Sequence, residues 1–173
     1  MKYLRWLLLL LCTGCTATSS RQQSIDRITK VIVRNVKQQL HLQPSGSGSL
    51  GPNKIKGLDL SFVSDQCGDV SSARRLALEV VDIMIQAGRS DQGFEEELET
   101  PPFSERHIYM DIEFKPCTTN SDWIEVVMFS PRAISYCRTH PTKSRYEAIF
   151  EETHEEAWQK VAEEMMRNNR RLA

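Results

Sequence analysis

IYMDIEFK, residues 108–115, alternates apolar and polar side chains at every position. A period of two residues is typical of a β-strand that buries one of its faces. The apolar members would form the buried face of this strand: Ile108, Met110, Ile112 and Phe114.

Two further strands are predicted downstream. Ile124, Val126 and Met128 would form the buried face of the first, with Trp123, Glu125, Val127 and Phe129 on the opposite face. Residues 133–138 would form the second, with Ile134 and Tyr136 inward. The simplest arrangement is an antiparallel meander. If no helix covers the face that carries Trp123 and Phe129, it would be a docking surface.

Upstream, a strand and a buried helix are predicted. Leu58, Leu60 and Phe62 alternate with polar residues, and a helix would begin near Ser71 or Ser72 and end at Ala87. Gly88 is predicted to end this helix at its C-terminus. The apolar face of this helix is wide, which indicates that it lies across the sheet.

The C-terminal part predicts one long helix from about Arg145 to Arg170. Tyr146, Ile149 and Phe150 begin its apolar stripe, and acidic residues crowd its first half. Basic residues close its end, a polarity that matches the helix dipole.

A basic amphipathic helix is predicted near the N-terminus, with Ser24 as its N-cap. Its basic side chains would contact anionic lipid headgroups or the acidic groove of a partner. The alternative is that they are solvated while the apolar stripe of the helix packs on the domain. The basic side chains of its polar face are Arg27, Lys30, Arg34 and Lys37.

Two segments are predicted to lack a core role. Gln43 to Asn53 is rich in Gly, Ser and Pro and is predicted to be a linker or long loop. Residues 89–106 carry the acidic run EEELE and two prolines. We expect a solvated loop there, with contact to a cation or a basic partner as the alternative.

The first sixteen residues indicate export. Lys2 and Arg5 precede an apolar run too short to span a bilayer, and Cys12-Thr13-Gly14-Cys15 follows it. This segment resembles a bacterial lipoprotein signal, although Cys12 stands where the family usually has Leu, Val or Ile. The resemblance implies lipidation of Cys15 after removal of residues 1–14. Because Thr16 rather than Asp follows Cys15, it also implies an outer-membrane anchor facing the periplasm.

The predicted fold is α/β: a two-layer sandwich with about four mainly antiparallel strands, two long helices and the N-terminal helix. The division is a signal peptide (1–14), a tether with helix and linker (15–53), and a globular domain (54–173). This order of elements is similar in topology to that of small envelope lipoproteins, including lipopolysaccharide-assembly and transport-auxiliary lipoproteins.

Three cysteines remain once Cys15 carries lipid: Cys67, Cys117 and Cys137. A crossover through the buried helix would bring Cys67 beside Cys117, so we predict that pair as a disulfide. Cys137 would then be a free thiol facing away from the core. The alternative is catalytic, because Cys67 precedes a helix N-terminus, where the dipole lowers the pKa of a thiol.

The net charge and the sequence motifs limit the classes of function that the chain could have. The formal net charge of −1 disfavours a nucleic-acid binder. No cofactor or metal is predicted, and Glu151-x-x-His154 lacks the second motif that a di-iron bundle needs. The leading hypothesis is a lipid-anchored, non-catalytic envelope protein that binds or scaffolds an envelope partner. A thiol-dependent enzyme using Cys67 and a carrier of lipid or a small ligand are the alternatives.

Overall fold

A computed structural model describes residues 20–116, 123–139 and 146–172 of the chain, with side chains as far as residue 170. Four α-helices, a short 3-10 helix at Glu105–His107 and six strands make up this part. The helices are α1 (Ser20–Leu40), α2 (Val70–Ser90), α3 (Gln92–Glu95) and α4 (His154–Leu172). The strands are β1 (Gln43–Leu50), β2 (Gly57–Ser64), β3 (Ile108–Phe114), β4 (Val126–Phe129), β5 (Ile134–Thr139) and β6 (Tyr146–Glu152).

The strands form one sheet in chain order, from β1 at one edge to β6 at the other. Only the β2–β3 pair is parallel; its strands are joined through α2, and the other neighbours are antiparallel. The α/β class and the β3–β4–β5 meander are therefore confirmed. The sheet has six strands rather than about four. None of the described helices is both long and apolar enough to cross a membrane.

One face of the sheet packs against the helices. Leu60, Ile112 and Tyr136 are fully buried on it and belong to one cluster with apolar side chains of α1, α2 and α4. The other face carries polar side chains such as Asp59 and Asp111, at the alternate positions of the same strands. Period-two patterning thus decides which strand face receives the helices.

The N-terminal helix belongs to this core. Ile28, Ile32 and Val36 are fully buried, so the predicted apolar stripe packs on the rest of the molecule. The predicted N-cap is wrong, because α1 begins at Ser20 and Ser24 is buried within it. The boundary predicted at residue 54 does not separate two units, since residues on both sides of it share one core.

The linker predicted for Gln43 to Asn53 is wrong over most of its length. Residues 43–50 pair with β2 as an edge strand. Pro44 is tolerated because an edge strand has one unpaired side and the register shifts between Pro44 and Gly46. Pairing with β2 outweighs the low strand propensity of Gly and Ser.

Helix α2 is longer than predicted. Asp69 caps it, accepting hydrogen bonds from the backbone N–H and the hydroxyl of Ser72, and these hydrogen bonds lower the pKa of Asp69. Gly88 does not stop the helix, which continues to Ser90. Because Gly88 has no side chain, the ring of Phe103 fits beside it, and a Cβ at position 88 would collide with that ring.

The segment predicted to lack a core role supplies three core side chains. Phe94, Leu98 and Phe103 are buried, and the rings of Phe94 and Phe103 meet edge to face at 5.3 Å. The acidic residues around them remain at the surface or half-buried. Three widely spaced apolar residues are enough to close this side of the core, although the composition of the segment is polar.

The face assignment of β4 was inverted. Val127 and Phe129 lie opposite Ile112 and Met110 of β3 and belong to the core, whereas Met128 lies opposite Asp111 on the outer face. Both faces of this short strand are largely covered, so its sequence carries no clear alternation.

The predicted C-terminal helix is divided in two. Tyr146–Glu152 is the edge strand β6, and the helix begins at His154. Tyr136 and Cys137 of β5 lie opposite Phe150 and Ala148 of β6, with a register shift between them. Helical spacing of Tyr146, Ile149 and Phe150 was therefore a misleading signal, and strand pairing decided the conformation.

Candidate interaction surface

Exposed apolar side chains are concentrated on two consecutive elements of the chain, β6 and α4. Among the described residues, six of the eight large exposed hydrophobic side chains lie on β6 and α4, and the other two are Leu50 and Tyr109. We call this surface the β6–α4 edge. Its apolar members are Tyr146, Ile149, Phe150, Trp158, Met165 and Met166.

Strand β6 exposes every residue from Tyr146 to Glu151. Phe150 packs at 5.5 Å from the Tyr136 ring and lies under the ammonium group of Lys160, yet more than a third of it is open to solvent. Ile149 is 48% exposed and has no partner in the β5 register. The strand therefore presents apolar side chains at an edge of the sheet that no other described strand covers.

The buried apolar contacts of helix α4 lie in its first half, and Glu164 adds a hydrogen bond from Ser71 of α2. Ala157 and Val161 are buried, whereas Met165, Met166 and the following residues through 170 are exposed. The helix therefore extends beyond the core that holds it. Such an amphipathic extension can serve a helix-in-groove or helix-pairing contact.

A capping box begins this helix. Glu156 accepts a hydrogen bond from the backbone N–H of Thr153 at 2.8 Å, and the N–H of Glu156 donates to the Thr153 hydroxyl at 3.2 Å. Thr153-x-x-Glu156 is the sequence signature of that motif. This signal was available in the sequence and would have placed the helix start after β6.

A buried charged network fixes β6 and α4 to the rest of the molecule. The Glu152 carboxylate accepts hydrogen bonds from Arg74 Nε at 2.6 Å, from Lys160 Nζ at 2.7 Å and from the Tyr136 hydroxyl. Burial opposes ionisation of Glu152, but these three hydrogen bonds hold its pKa below the ordinary value. Burial and the neighbouring Glu152 raise the pKa of Tyr136, so its hydroxyl remains a donor.

The start of α4 is held by a second cluster. His154 stacks on Phe129 with ring centroids 4.2 Å apart, and its Nε2 lies 2.8 Å from the Ser130 carbonyl. Its Nδ1 lies 3.4 Å from Glu105, to which the Trp158 indole N–H also donates. These contacts position Trp158 at the rim of a groove of about 630 Å³ that Ile85 and Arg89 also line.

The basic side chains predicted as a membrane or partner contact lie on the face of α1 opposite its buried stripe. Arg27 is engaged by Asp91, with Nε–Oδ2 and Nη2–Oδ1 distances of 2.6 and 2.7 Å. That hydrogen bonding lowers the pKa of Asp91. Lys30, Arg34 and Lys37 are exposed, so they form the accessible basic row of this helix.

The two aromatic residues predicted as a docking surface are not exposed together. Phe129 is only 2% exposed and faces the helices. Trp123 is half-buried, and its carbonyl accepts a hydrogen bond from Arg138. The helices cover the face that carries Phe129, so the condition for a docking surface there is not met.

The cysteines lie in different environments. Cys67 is disulfide-bonded, and its partner is outside the described residues, as are Cys117 and Cys15. The Cys67–Cys117 pairing remains a prediction. Cys137 is a free thiol, but it is buried, and burial together with Glu151 raises the pKa of this thiol. Neither described cysteine therefore presents an accessible thiolate.

Metal ligands are not gathered in the described parts of the chain, where no group of three or more His, Cys, Asp or Glu side chains could hold an ion. Glu151 lies on β6 and His154 at the start of α4, so they do not share a helix face as the sequence suggested. Comparisons of the chain with protein-family models, curated proteins and solved structures find no match.

Proposed function

We propose that this chain is a lipid-anchored bacterial envelope protein with a non-catalytic binding role, anchored in the outer membrane and facing the periplasm. The location rests on Thr13-Gly14-Cys15 after a short apolar run. The binding role rests on one observation, the concentration of exposed apolar side chains at the β6–α4 edge. Such patches mark interaction sites when they are contiguous and rimmed by charge.

Two features support this proposal over its alternatives. A disulfide-bonded Cys67 has no thiolate to act as a nucleophile. A lipid carrier needs room between the sheet and the helices, but fully buried side chains such as Leu60, Met84 and Ile112 occupy that interface.

Lipidation is tested with Cys15→Ser in the full chain. Without the cysteine, lipid cannot be attached, so we expect an uncleaved or soluble precursor. Mass spectrometry of the N-terminal peptide and membrane fractionation measure this. A variant that is cleaved normally and still fractionates with membranes would reject the anchor.

The binding role is tested by placing a charge on the surface. Ile149→Lys alters an exposed side chain and leaves the core untouched, and Leu50→Lys is its matched control on the other sheet edge. After crosslinking in intact envelopes, we expect Ile149→Lys to lose the adduct that wild type and Leu50→Lys retain. Identical adducts in all three proteins would rule out this surface as the binding site.

A further inference from the structure

Strand β6 has the properties of an edge that is completed by another chain. It is seven residues long, contains neither Pro nor Lys, and its outer side has no strand partner among the described residues. Unpaired N–H and C=O groups of such an edge are a template for further pairing. The protective features of this strand are a shift of register beside Ile149 and three glutamates, of which Glu152 is buried.

Self-pairing is geometrically consistent with the elements on this edge. Identical strands related by a two-fold axis pair antiparallel and bury the same patch on both copies. Because α4 follows β6 directly, the two α4 helices would then lie antiparallel on the same face of a continuous sheet. Both halves of the contact are present on each copy.

Charges along α4 are complementary to those of an antiparallel copy. Its exposed first turn carries Glu155 and Glu156, and its exposed last turns carry Arg167 and Arg170. Antiparallel alignment brings the acidic half of one helix toward the basic half of the other. A parallel alignment would place like charges together, which is unfavourable.

We propose that a second copy of this chain pairs with β6 and packs against α4, so that the β6–α4 edge is the contact of a two-fold dimer. This inference rests on the proposed function and names the partner of the same surface. Ile149, Phe150 and the two methionines supply its apolar part, and the charges of α4 set the direction of approach.

The charges of β6 also select a register. A two-fold centre at Ile149 would place Glu147 opposite Glu151 of the second copy, and directly opposed like charges destabilise a strand pair. A centre at Ala148 avoids that contact and brings the two Ala148 residues opposite each other. Opposed residues of antiparallel strands have Cα atoms about 4.5–5.5 Å apart, within the range that a disulfide bridges.

The test is disulfide trapping in the full chain in intact envelopes. Ala148→Cys is made in a Cys137→Ala background, because Cys137 lies directly opposite Ala148 within the same sheet and would capture the new thiol. Two copies with different tags are expressed together, oxidised and separated without reduction. Gly48→Cys is the matched control on β1, where an added side chain meets only ordinary contacts.

We expect a linked pair that carries both tags from position 148 and none from position 48. Adding Ile149→Lys should reduce the linked pair about tenfold, while adding Leu50→Lys should not. A link from position 148 to a different protein would overturn the second copy as partner and retain the binding role. A membrane-bound chain with no link from position 148 would overturn self-pairing and leave the anchor intact, and the crosslinking of Ile149→Lys then decides whether this surface binds a different protein.

Discussion

The two edges of the sheet differ in composition, although both strands are exposed. Apart from Leu50 at its end, strand β1 consists of small and polar residues with Pro44 and two glycines, whereas β6 carries Tyr146, Ile149 and Phe150. Both edges have a register shift, but only β1 also has a proline, which blunts an edge against further pairing. This contrast is the basis of the proposal that β6, and not β1, is the edge that pairs with a partner.

The neighbouring helices extend this contrast. Helix α1, on the β1 side, buries an apolar stripe and presents basic side chains to solvent. Helix α4, on the β6 side, buries apolar side chains only in its first half and exposes two methionines. Apolar packing holds the first side of the molecule, whereas a buried charged network contributes strongly to the second.

The largest expected effect tests that network. Arg74→Met leaves the buried Glu152 carboxylate with Lys160 as its remaining cation, so we expect unfolding free energy to fall by about 3 kcal/mol. Urea denaturation measures the loss. Arg74→Met combined with Glu152→Met should recover most of it, and a double variant no more stable than the single one would contradict the account.

Next in size is a comparison of two glycines. Gly88→Ala forces a Cβ against the Phe103 ring and should cost about 1–3 kcal/mol. Gly48→Ala, on the exposed edge of β1, should change stability by less than about 0.5 kcal/mol. Thermal unfolding of the two variants makes the comparison, and equal losses would show that the β1 edge is packed rather than open.

A smaller effect is expected on the loss of stability at acidic pH. The folded-state pKa of Glu152 lies below its ordinary value of 4.5, so its contribution is fully present above that value and is lost as the pH falls through the folded pKa. In Glu152→Gln, unfolding free energy should therefore depend less on pH in this acidic range. Denaturation from pH 7 to pH 3 measures this pH dependence, and parallel curves for wild type and variant would refute the lowered folded-state pKa of Glu152.

The smallest effect concerns the other side of the molecule. The outer sheet face carries the acidic residues Asp59, Asp111 and Glu113. An anionic bilayer would therefore be met by α1 rather than by this face. Replacing Lys30, Arg34 or Lys37 singly with Ala should weaken binding of a protein beginning at Thr16 to anionic vesicles by about 1 kcal/mol each.

Neutral vesicles and added salt are the controls for that measurement, since screening removes an electrostatic contact. Arg27→Ala is the matched variant, because Arg27 is already engaged by Asp91. We expect it to have less effect on vesicle binding than the other three. If all four variants bind vesicles independently of salt, the electrostatic contact is ruled out and the role of α1 is to pack on the core.

Part of the architecture could be predicted from local pattern. Alternation in residues 108–115 and around Leu60 located β3 and β2, and helical spacing located α1 and α2. Apolar periodicity reports the direction in which side chains are buried, which is what distinguishes these elements. The sequence by itself also determined the exposed basic face of α1.

Only the tertiary structure decided the two sheet edges. QPSGSGSL has low strand propensity and becomes β1 because β2 offers its main-chain groups a partner. YEAIFEE has an apolar spacing compatible with a helix and becomes β6 because β5 pairs with it, while the Thr153–Glu156 capping box starts the helix afterwards. Strand pairing is non-local, so the residues that form an edge do not by themselves determine it, and the candidate surface depended on that pairing.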